Sequence, residues 1–266
     1  MSGVPTSFHL GPLVFHTYGF GLAIAAYVCF LYARKRLAKS DFDVRPFGKY
    51  AFALIVAGLI GARLANIATN WGYYSDHPAR WIAVWQGGLA SFGGIALALP
   101  VGLYLQRRWW PASSLAAFTD ALVPALIVGW ALGRVLGPQF MVNGGGHLTH
   151  QWFGLHYHGQ VGKRVPVPLI QGAEDGTLWL VLLGVEHWRP HRKVGIVTDV
   201  AMIIWGIVRS TDERLLLGQE SHSGSLGVQI AGLVLALGGV ILLVHQLRAG
   251  RSTPDHSDAP HAPATP

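Results

Sequence analysis

Apolar stretches of similar length recur along the chain, and each is about as long as a helix that crosses a membrane. A spanning helix needs about 20 predominantly apolar residues, and seven stretches meet this requirement. The fifth is the weakest, because Glu174 and Asp175 lie early in it. The pattern predicts an all-α polytopic membrane protein with about seven transmembrane helices, at residues 12–33, 50–70, 81–106, 112–133, 166–188, 194–208 and 225–247.

Basic residues mark one side of these predicted spans. Six lie between the first two spans, two follow the third, three follow the fifth and two follow the last. All of these clusters fall on one side if the spans alternate in direction, and cytoplasmic segments are enriched in Lys and Arg. The N-terminus is therefore predicted outside and the C-terminus inside. Residues 1–247 would form one transmembrane domain, and residues 248–266 a disordered cytoplasmic tail with too little apolar content to fold.

Composition supports a membrane protein and argues against nucleic-acid binding. Only 12% of the 266 residues are charged and 51% are hydrophobic, whereas soluble domains carry about 25% charged residues. So few charged side chains could not cover a water-facing surface. The net charge of +7 fits the bias of cytoplasmic segments and attraction to anionic lipids. The chain also lacks the basic, aromatic-interleaved stripe that is typical of nucleic-acid-binding proteins.

Polar intramembrane residues gather at one depth once each span has a direction. Tyr18 and Arg63 fall in the outer half of the membrane, and Arg134 and Arg209 close two outward-running spans. Charges inside a membrane cost about 2.5–3.5 kcal/mol each on insertion scales, and they usually mark function. Either terminal arginine alone could simply snorkel to the headgroups. Three guanidinium groups at one depth predict instead a binding site for a phosphate, such as that of a phospholipid headgroup.

A glycine-rich segment opens the third predicted span and has two interpretations. Its glycines are Gly87, Gly88, Gly93 and Gly94. Small residues at helical spacing allow two helices to pack closely without any chemistry. Paired glycines also expose backbone N–H groups where a helix loosens, so a role in binding substrate stays open beside the packing role.

Four histidines lie in the predicted outer loop, residues 138–165. They are His147, His150, His156 and His158, and neither a cysteine nor a carboxylate accompanies them in that loop. A metal site is conceivable from the histidines alone, but a solvent-facing or interfacial cluster is favoured, with proton transfer as a third possibility. No metal and no cofactor is predicted.

Seven short motifs, in order along the chain, resemble those of the prolipoprotein diacylglyceryl transferase family. Each would be weak alone, but together they cover almost the full length at the expected spans. Among them are the paired-glycine segment and an arginine and a glutamate four residues apart after the sixth span. The matching residues are Tyr18-Gly19, Gly61-Ala62-Arg63-Leu64, Gly87 to Gly94, Gly133-Arg134, Asn143-Gly144, Val165 to Gln171, and Arg209 with Glu213.

The resemblance implies a transfer reaction at the outer face of the bacterial inner membrane. The family moves the diacylglyceryl group of phosphatidylglycerol onto the lipobox cysteine of a preprolipoprotein, so that glycerol phosphate leaves and a thioether forms. Arg134 and Arg209 would then bind the phosphate, and Tyr18 would join them as a catalytic residue. The residues lining or orienting the site would be Arg63, Gly87, Gly88, Gly93, Gly94, Asn143 and Glu213.

The sequence also departs from the family pattern. Phe92 stands where many members have a histidine, and Gln171 stands where a glutamate is usual. If acid–base help is needed, Tyr18 or a loop histidine such as His147 would have to supply it. Two alternatives therefore stay open: a member that binds phospholipid headgroups without catalysis or uses another acceptor, and an anion transporter. The absence of a visible internal repeat argues against the transporter.

Overall fold

A computed structural model describes residues 7–10, 13–83, 88–137, 144–188, 193–215 and 222–249 of the chain. This part of the protein is mostly helical, and each of the seven predicted spans overlaps one long helix within it. The long helices are α1 (Thr17–Lys39), α2 (Phe47–Thr69), α4 (Ser91–Trp109), α5 (Leu115–Leu136), α6 (Val167–Trp188), α7 (Ile196–Leu215) and α8 (His222–Ala249), and a short α3 (Trp71–Asp76) follows α2.

Three of the described helices are long and apolar enough to cross a membrane on length and composition. They are α2, α5 and the part of α8 between Leu226 and Arg248. Apolar side chains are exposed along α8, including Leu233, Val234 and Leu237, as expected for a surface that faces lipid. The other long helices carry more polar residues. For example, α6 contains Glu174 and Asp175, and α7 contains three acidic residues and two arginines. The protein is therefore a helical membrane protein.

The all-α prediction is incomplete at the N-terminus and after α5, where short strands pair. Strand β1 (Ser7–Leu10) pairs antiparallel with β2 (Leu13–His16), so α1 begins at Thr17 and not near residue 12. Strand β3 (Leu155–His156) pairs antiparallel with β4 (Lys163–Arg164). A short apolar run does not distinguish strand from helix, which is why the start of the first span was placed too early.

The third predicted span also begins too early. Residues Pro78–Ile82 form a short 3₁₀ helix, and α4 begins only at Ser91. Each glycine in a helix interior costs about 1 kcal/mol relative to alanine, and Gly88 adopts a left-handed φ of 74°. The paired glycines therefore lie partly before the helix. At the other end of the chain, α8 ends at Ala249, so residues 248–249 of the predicted tail are helical and residues 250–266 lie outside the described residues.

The described residues form two compact units. The central unit falls within residues 26–126, and the terminal unit within residues 1–25 and 127–266. Aromatic packing forms the core of the central unit, where Tyr50 contacts both Trp110 and Phe118 edge-on at 5.4 and 5.5 Å between ring centroids. The indole N–H of Trp110 donates to the carbonyl of Asp43 at 2.8 Å. Burial and this hydrogen bond together fix the loop between α1 and α2.

Helices α2 and α4 of the central unit approach each other through glycines. A Cβ atom added to Gly61 would collide with the backbone of Gly93 and lie 2.7 Å from Cβ of Leu97. The backbone N–H of Ala90 donates to the carbonyl of Ala62 at 3.0 Å, just before α4 begins. The packing role predicted for the paired glycines is therefore present at Gly93.

Replacing Gly61 by leucine is expected to lower the melting temperature of the detergent-solubilised protein, because overpacking at a closed helix interface costs about 1–3 kcal/mol or more. The matched control is Gly58→Leu on the same helix, where an added Cβ meets nothing within 4 Å. Thermal unfolding of the two variants measures the difference in melting temperature. Equal melting temperatures for both would show that α2 and α4 do not pack at Gly61.

Glycines also set the helix contacts in the terminal unit. A Cβ added to Gly172 of α6 would lie 2.6 Å from the Val135 side chain and 3.9 Å from Cβ of Arg134. Helices α7 and α8 approach through Gly206 and Gly232, where a Cβ on Gly232 would meet the backbone N of Ser210 at 3.1 Å. The contact at Gly172 brings the beginning of α6 beside the end of α5, where Arg134 lies.

Candidate active site

Arg134 and Arg209 come together in the terminal unit through two tryptophans. Arg134, in the last turn of α5, lies over the ring of Trp130 at 5.4 Å, and Arg209 of α7 lies over Trp205 at 6.0 Å. The two indoles contact each other edge-to-face at 5.7 Å between centroids. A guanidinium over an indole face is held by the ring quadrupole. The stacked pairs thus bring the two predicted phosphate ligands into one cluster, in which both arginines also interact electrostatically with Asp175.

Buried carboxyl groups surround these arginines. Asp212, one turn after Arg209, lies with Oδ2 3.5 Å from Nη1 of that arginine, and their side chains are only 6% and 12% exposed. Asp175 of α6 is buried and interacts electrostatically with both Arg134 and Arg209. A guanidinium in such a site needs a counter-charge, since an uncompensated buried charge is strongly destabilising. The carboxylates therefore supply counter-charge to the arginine pair.

Gln171 links α6 to this cluster. Its side chain is 2% exposed, and its Nε2 donates to Oδ2 of Asp212 at 3.1 Å. Oε1 of Gln171 and Oε2 of Glu174 are buried without a hydrogen-bond partner among the described residues. The Glu174 carboxyl group lies beside that of Asp212. The Trp205 indole lies near Asp175, but its Nε1 has no hydrogen-bond partner among the described residues. Buried acceptors of this kind are normally satisfied, so the cluster can accept protons or hydrogen bonds from a ligand.

Arg63 lies in the central unit and has a different environment. The side chain is 6% exposed, Nε donates to the carbonyl of Trp81 at 3.0 Å, and Nη1 donates to that of Gly88 at 2.9 Å. Nη2 donates to the carbonyls of Arg80 and Ala83. The guanidinium also lies over the ring of Tyr74 at 5.1 Å. Arg63 therefore fixes the loop between α3 and α4 through backbone carbonyls.

Replacing Arg63 by lysine is expected to loosen that loop, because an ammonium group lacks the planar fork that reaches several carbonyls at once. Each buried carbonyl left unpaired costs about 1–3 kcal/mol. The expected result is a lower melting temperature and faster tryptic cleavage after Arg80. Arg45→Lys is the matched control, since the Arg45 side chain is exposed and pairs with Asp43 at the surface. Unchanged cleavage after Arg80 would show that the loop does not depend on Arg63.

The other predicted site residues are described only in part. Tyr18 lies in the first turn of α1 and Glu213 in the last turn of α7. Gly93 and Gly94 lie in the first turn of α4. Gly87 and Asn143 lie outside the described residues. The remaining predicted glycine, Gly88, precedes α4 and accepts a hydrogen bond from Arg63.

The loop between α5 and α6 is folded over residues 144–165, hereafter the α5–α6 loop. The backbone N–H groups of Gly146 and Val165 donate to the carbonyls of Val165 and His147 at 2.9 and 3.0 Å. Gln160 makes two hydrogen bonds to the backbone of Gly145, at 2.8 and 3.0 Å. Burial raises the pKa of the Tyr157 phenol to about 12. Within the residues that the structure describes, no three His, Cys, Asp or Glu side chains are grouped to hold a metal ion.

Sequence reasoning did not include the carboxylates and tryptophans of the cluster among the site residues. Asp175, Asp212, Trp130 and Trp205 are brought together by packing between α5, α6 and α7. One local signal could have found the tryptophans: each site arginine follows a tryptophan by four residues, as in Trp130 and Arg134. On a helix this spacing puts both side chains on one face.

Comparison with known proteins agrees with the motif order. The family model described as prolipoprotein diacylglyceryl transferase matches residues 5–245. A phosphatidylglycerol–prolipoprotein diacylglyceryl transferase of Nitrosospira multiformis is 29% identical over 259 residues, covering 92% of this chain and 86% of that protein. Proteins of the same name from Geobacter sulfurreducens and Thermus thermophilus are 33% and 34% identical, covering 77% and 47% of this chain and 79% and 44% of their own lengths. The chain therefore belongs to the prolipoprotein diacylglyceryl transferase family.

Proposed function

We propose that this protein transfers the diacylglyceryl group of phosphatidylglycerol to the lipobox cysteine of preprolipoproteins. Family membership supports the reaction, and the names of its relatives state both the lipid and the protein substrate. The single observation that carries the assignment to a site is the pair Arg134 and Arg209, held together by Trp130 and Trp205. Two adjacent guanidinium groups provide a planar, bidentate grip that suits a phosphate diester.

The proposed function requires a defined orientation of the protein in the membrane. The protein would lie in the bacterial inner membrane as a multi-pass protein with seven spans, α1, α2 and α4 to α8. Its N-terminus would lie outside and its C-terminus inside, with residues 1–247 as the transmembrane domain and 248–266 as a cytoplasmic tail. Basic residues at two helix ends support this direction. They are Arg36 and Lys39 at the end of α1 and Arg107 and Arg108 at the end of α4.

The chemistry would proceed by displacement at the glycerol carbon that carries the phosphate. The cysteine thiol loses its proton, the sulfur forms a bond to that carbon, and the carbon–oxygen bond to phosphate breaks. Glycerol phosphate leaves with the bonding electrons, and Arg134 and Arg209 stabilise the developing negative charge. Glu174 is the proposed acceptor for the thiol proton, because its buried Oε2 has no partner among the described residues. A carboxylate would thus replace the histidine missing at Phe92.

The decisive experiment uses the purified full chain with phosphatidylglycerol labelled in its headgroup and a lipobox peptide. Release of labelled glycerol phosphate in step with a mobility shift of the peptide is expected. A peptide with serine in place of the lipobox cysteine is the control, because it lacks the nucleophile. Complementation of a transferase-depleted strain tests the same activity in cells. Failure of both assays with well-inserted protein would remove the transferase assignment.

A second candidate function is binding of phospholipid headgroups without transfer. Its support is Phe92, near the start of α4, which cannot move a proton. The same preparation distinguishes it: a non-catalytic member would bind phosphatidylglycerol and release no glycerol phosphate. Uptake of anions into proteoliposomes would point instead to a transporter.

A further inference from the structure

The α5–α6 loop carries apolar side chains that neither the fold nor the proposed reaction uses. Trp152 is 89% exposed and Val161 is 85% exposed, and Leu148 and Leu155 are also exposed. Trp152 and Phe153 pack edge-to-face at 5.9 Å between centroids, so the two exposed aromatic rings form one apolar tip. A tryptophan exposed to this degree is costly in water, and grouped exposed apolar side chains mark interaction surfaces.

The residues of the α5–α6 loop on either side of this tip are joined by hydrogen bonds. Backbone bonds join residues 146–149 to residues 163–165, and the Arg164 guanidinium donates to the carbonyl of Gly146 at 3.1 Å. Gly154 fits tightly against Thr149, since an added Cβ would lie 2.8 Å from its methyl group. The exposed side chains therefore project from a folded element, and their exposure does not result from a missing local partner.

The charge of the α5–α6 loop has one sign. Residues 144–165 contain Lys163, Arg164 and four histidines, and no aspartate or glutamate. Lys163 is exposed next to the apolar tip, while Arg164 is partly buried against the loop backbone. Basic residues near a membrane surface are attracted to anionic lipids by about 1 kcal/mol each. The pattern of cationic and aromatic side chains is complementary to an anionic membrane interface.

We propose that the α5–α6 loop is a membrane-interface anchor that inserts Trp152 and its neighbours among anionic lipid headgroups. The loop is well placed for this, because α5 is apolar enough to span a membrane and ends at Leu136, eight positions before Gly144. The tip places exposed apolar side chains beside an exposed basic residue, Lys163, as insertion among anionic headgroups requires. Tryptophan is enriched at membrane interfaces for the same physical reason.

The anchor has a consequence for the candidate active site. Strand β4 ends at Arg164 and α6 begins at Val167, with Gln171 and Glu174 in its first two turns. A loop held at headgroup depth therefore holds the beginning of α6 at that depth too. Lipid contact by the tip and the position of the carboxylate cluster are then mechanically connected.

The test measures lipid contact directly and does not depend on transfer activity. The single native cysteine is removed by Cys29→Ser, and Trp152→Cys or Val161→Cys is introduced and labelled with an environment-sensitive fluorophore. In nanodiscs of phosphatidylglycerol and phosphatidylcholine, both labels are expected to emit at shorter wavelength. They should also resist quenching by iodide and be quenched by lipids with a nitroxide near the headgroup. Labelled Ser40→Cys, at an exposed position after α1, should stay accessible to iodide.

The contribution of the Lys163 charge to lipid contact is tested with a separate variant. Lys163→Gln in the labelled Trp152→Cys background should reduce iodide protection several-fold in anionic nanodiscs and change it little in pure phosphatidylcholine. Labels that remain as iodide-accessible as the one at position 40 in anionic nanodiscs would overturn the anchor. Protection that arises only when lipobox peptide is added would also overturn it and assign the surface to the peptide. Transfer activity measured on the same samples reports separately on the proposed function.

Discussion

Arg209→Ala is expected to lower transfer from phosphatidylglycerol by about 10²–10³-fold, the usual effect of removing one donor that stabilises developing charge. Arg134→Ala should have an effect of the same size, because the two guanidinium groups lie together on the tryptophan pair. If both grip one phosphate, the double variant should lose much less than the product of the single effects, since residues that act as a unit are non-additive. Release of labelled glycerol phosphate is the measurement.

The control for these variants is Arg45→Ala, which removes an exposed arginine whose pair with Asp43 lies at the surface. Its transfer rate should stay near that of the native protein. Arg209→Lys adds a second comparison: a lysine keeps the charge but loses the bidentate fork, so partial activity is expected. Native activity in both Arg134→Ala and Arg209→Ala, with normal folding, would show that the phosphate binds elsewhere.

The two arginines were predictable from the sequence, and the reason is physical. Hydrophobic length predicted where most helices lie, and the high cost of an intramembrane charge made Arg134 and Arg209 stand out. Their predicted depth in the membrane depends on the distribution of basic residues alone and stays a prediction. The same reasoning could not separate them from Arg63, because depth does not reveal which groups the guanidinium faces.

Arg63 shows what the sequence left undetermined. Its donors go to the carbonyls of Arg80, Trp81, Ala83 and Gly88, and these contacts require a turn whose shape depends on tertiary packing. Its role as a substrate ligand remains a prediction beside this observed structural role. The carboxylate cluster was hidden for a similar reason, since Asp175 and Asp212 are 37 positions apart in the sequence and meet only through the packing of α6 and α7.

The strands and the late start of α4 were missed because apolar content carries little conformational information over short runs. Residues of β2 are as apolar as those of a helix, and only pairing with β1 makes them a strand. In the third predicted span, Gly88 adopts a left-handed φ, which interrupts helical geometry at that point. The general lesson from these elements is that membrane-length hydrophobicity locates the end of a helix only to within about three turns.

Asp212→Ala is expected to destabilise the terminal unit by about 3–5 kcal/mol, the usual cost of removing one partner from a buried ion pair. The change takes a close counter-charge from Arg209 and leaves Nε2 of Gln171 without the acceptor it now uses at 3.1 Å. Asp212→Asn should be milder, because an amide oxygen can still accept from Gln171. Thermal unfolding in detergent measures the difference in stability between the two variants.

A pairwise comparison separates the hydrogen bond from the charge at this position. If Gln171 and Asp212 are coupled, Gln171→Leu combined with Asp212→Leu should cost less than the sum of the single changes, because neither partner of their hydrogen bond then remains to be left unpaired. The loss of the counter-charge of Arg209 is common to Asp212→Leu and the double variant, so it cancels in this comparison. Asp43→Ala, which breaks an exposed pair, is the control and should leave the melting temperature almost unchanged. Additive losses at 171 and 212 would mean that the two side chains stabilise the protein independently. In that case Asp212 would act on Arg209 alone, and Asp212→Asn, which removes the counter-charge, should be as destabilising as Asp212→Ala.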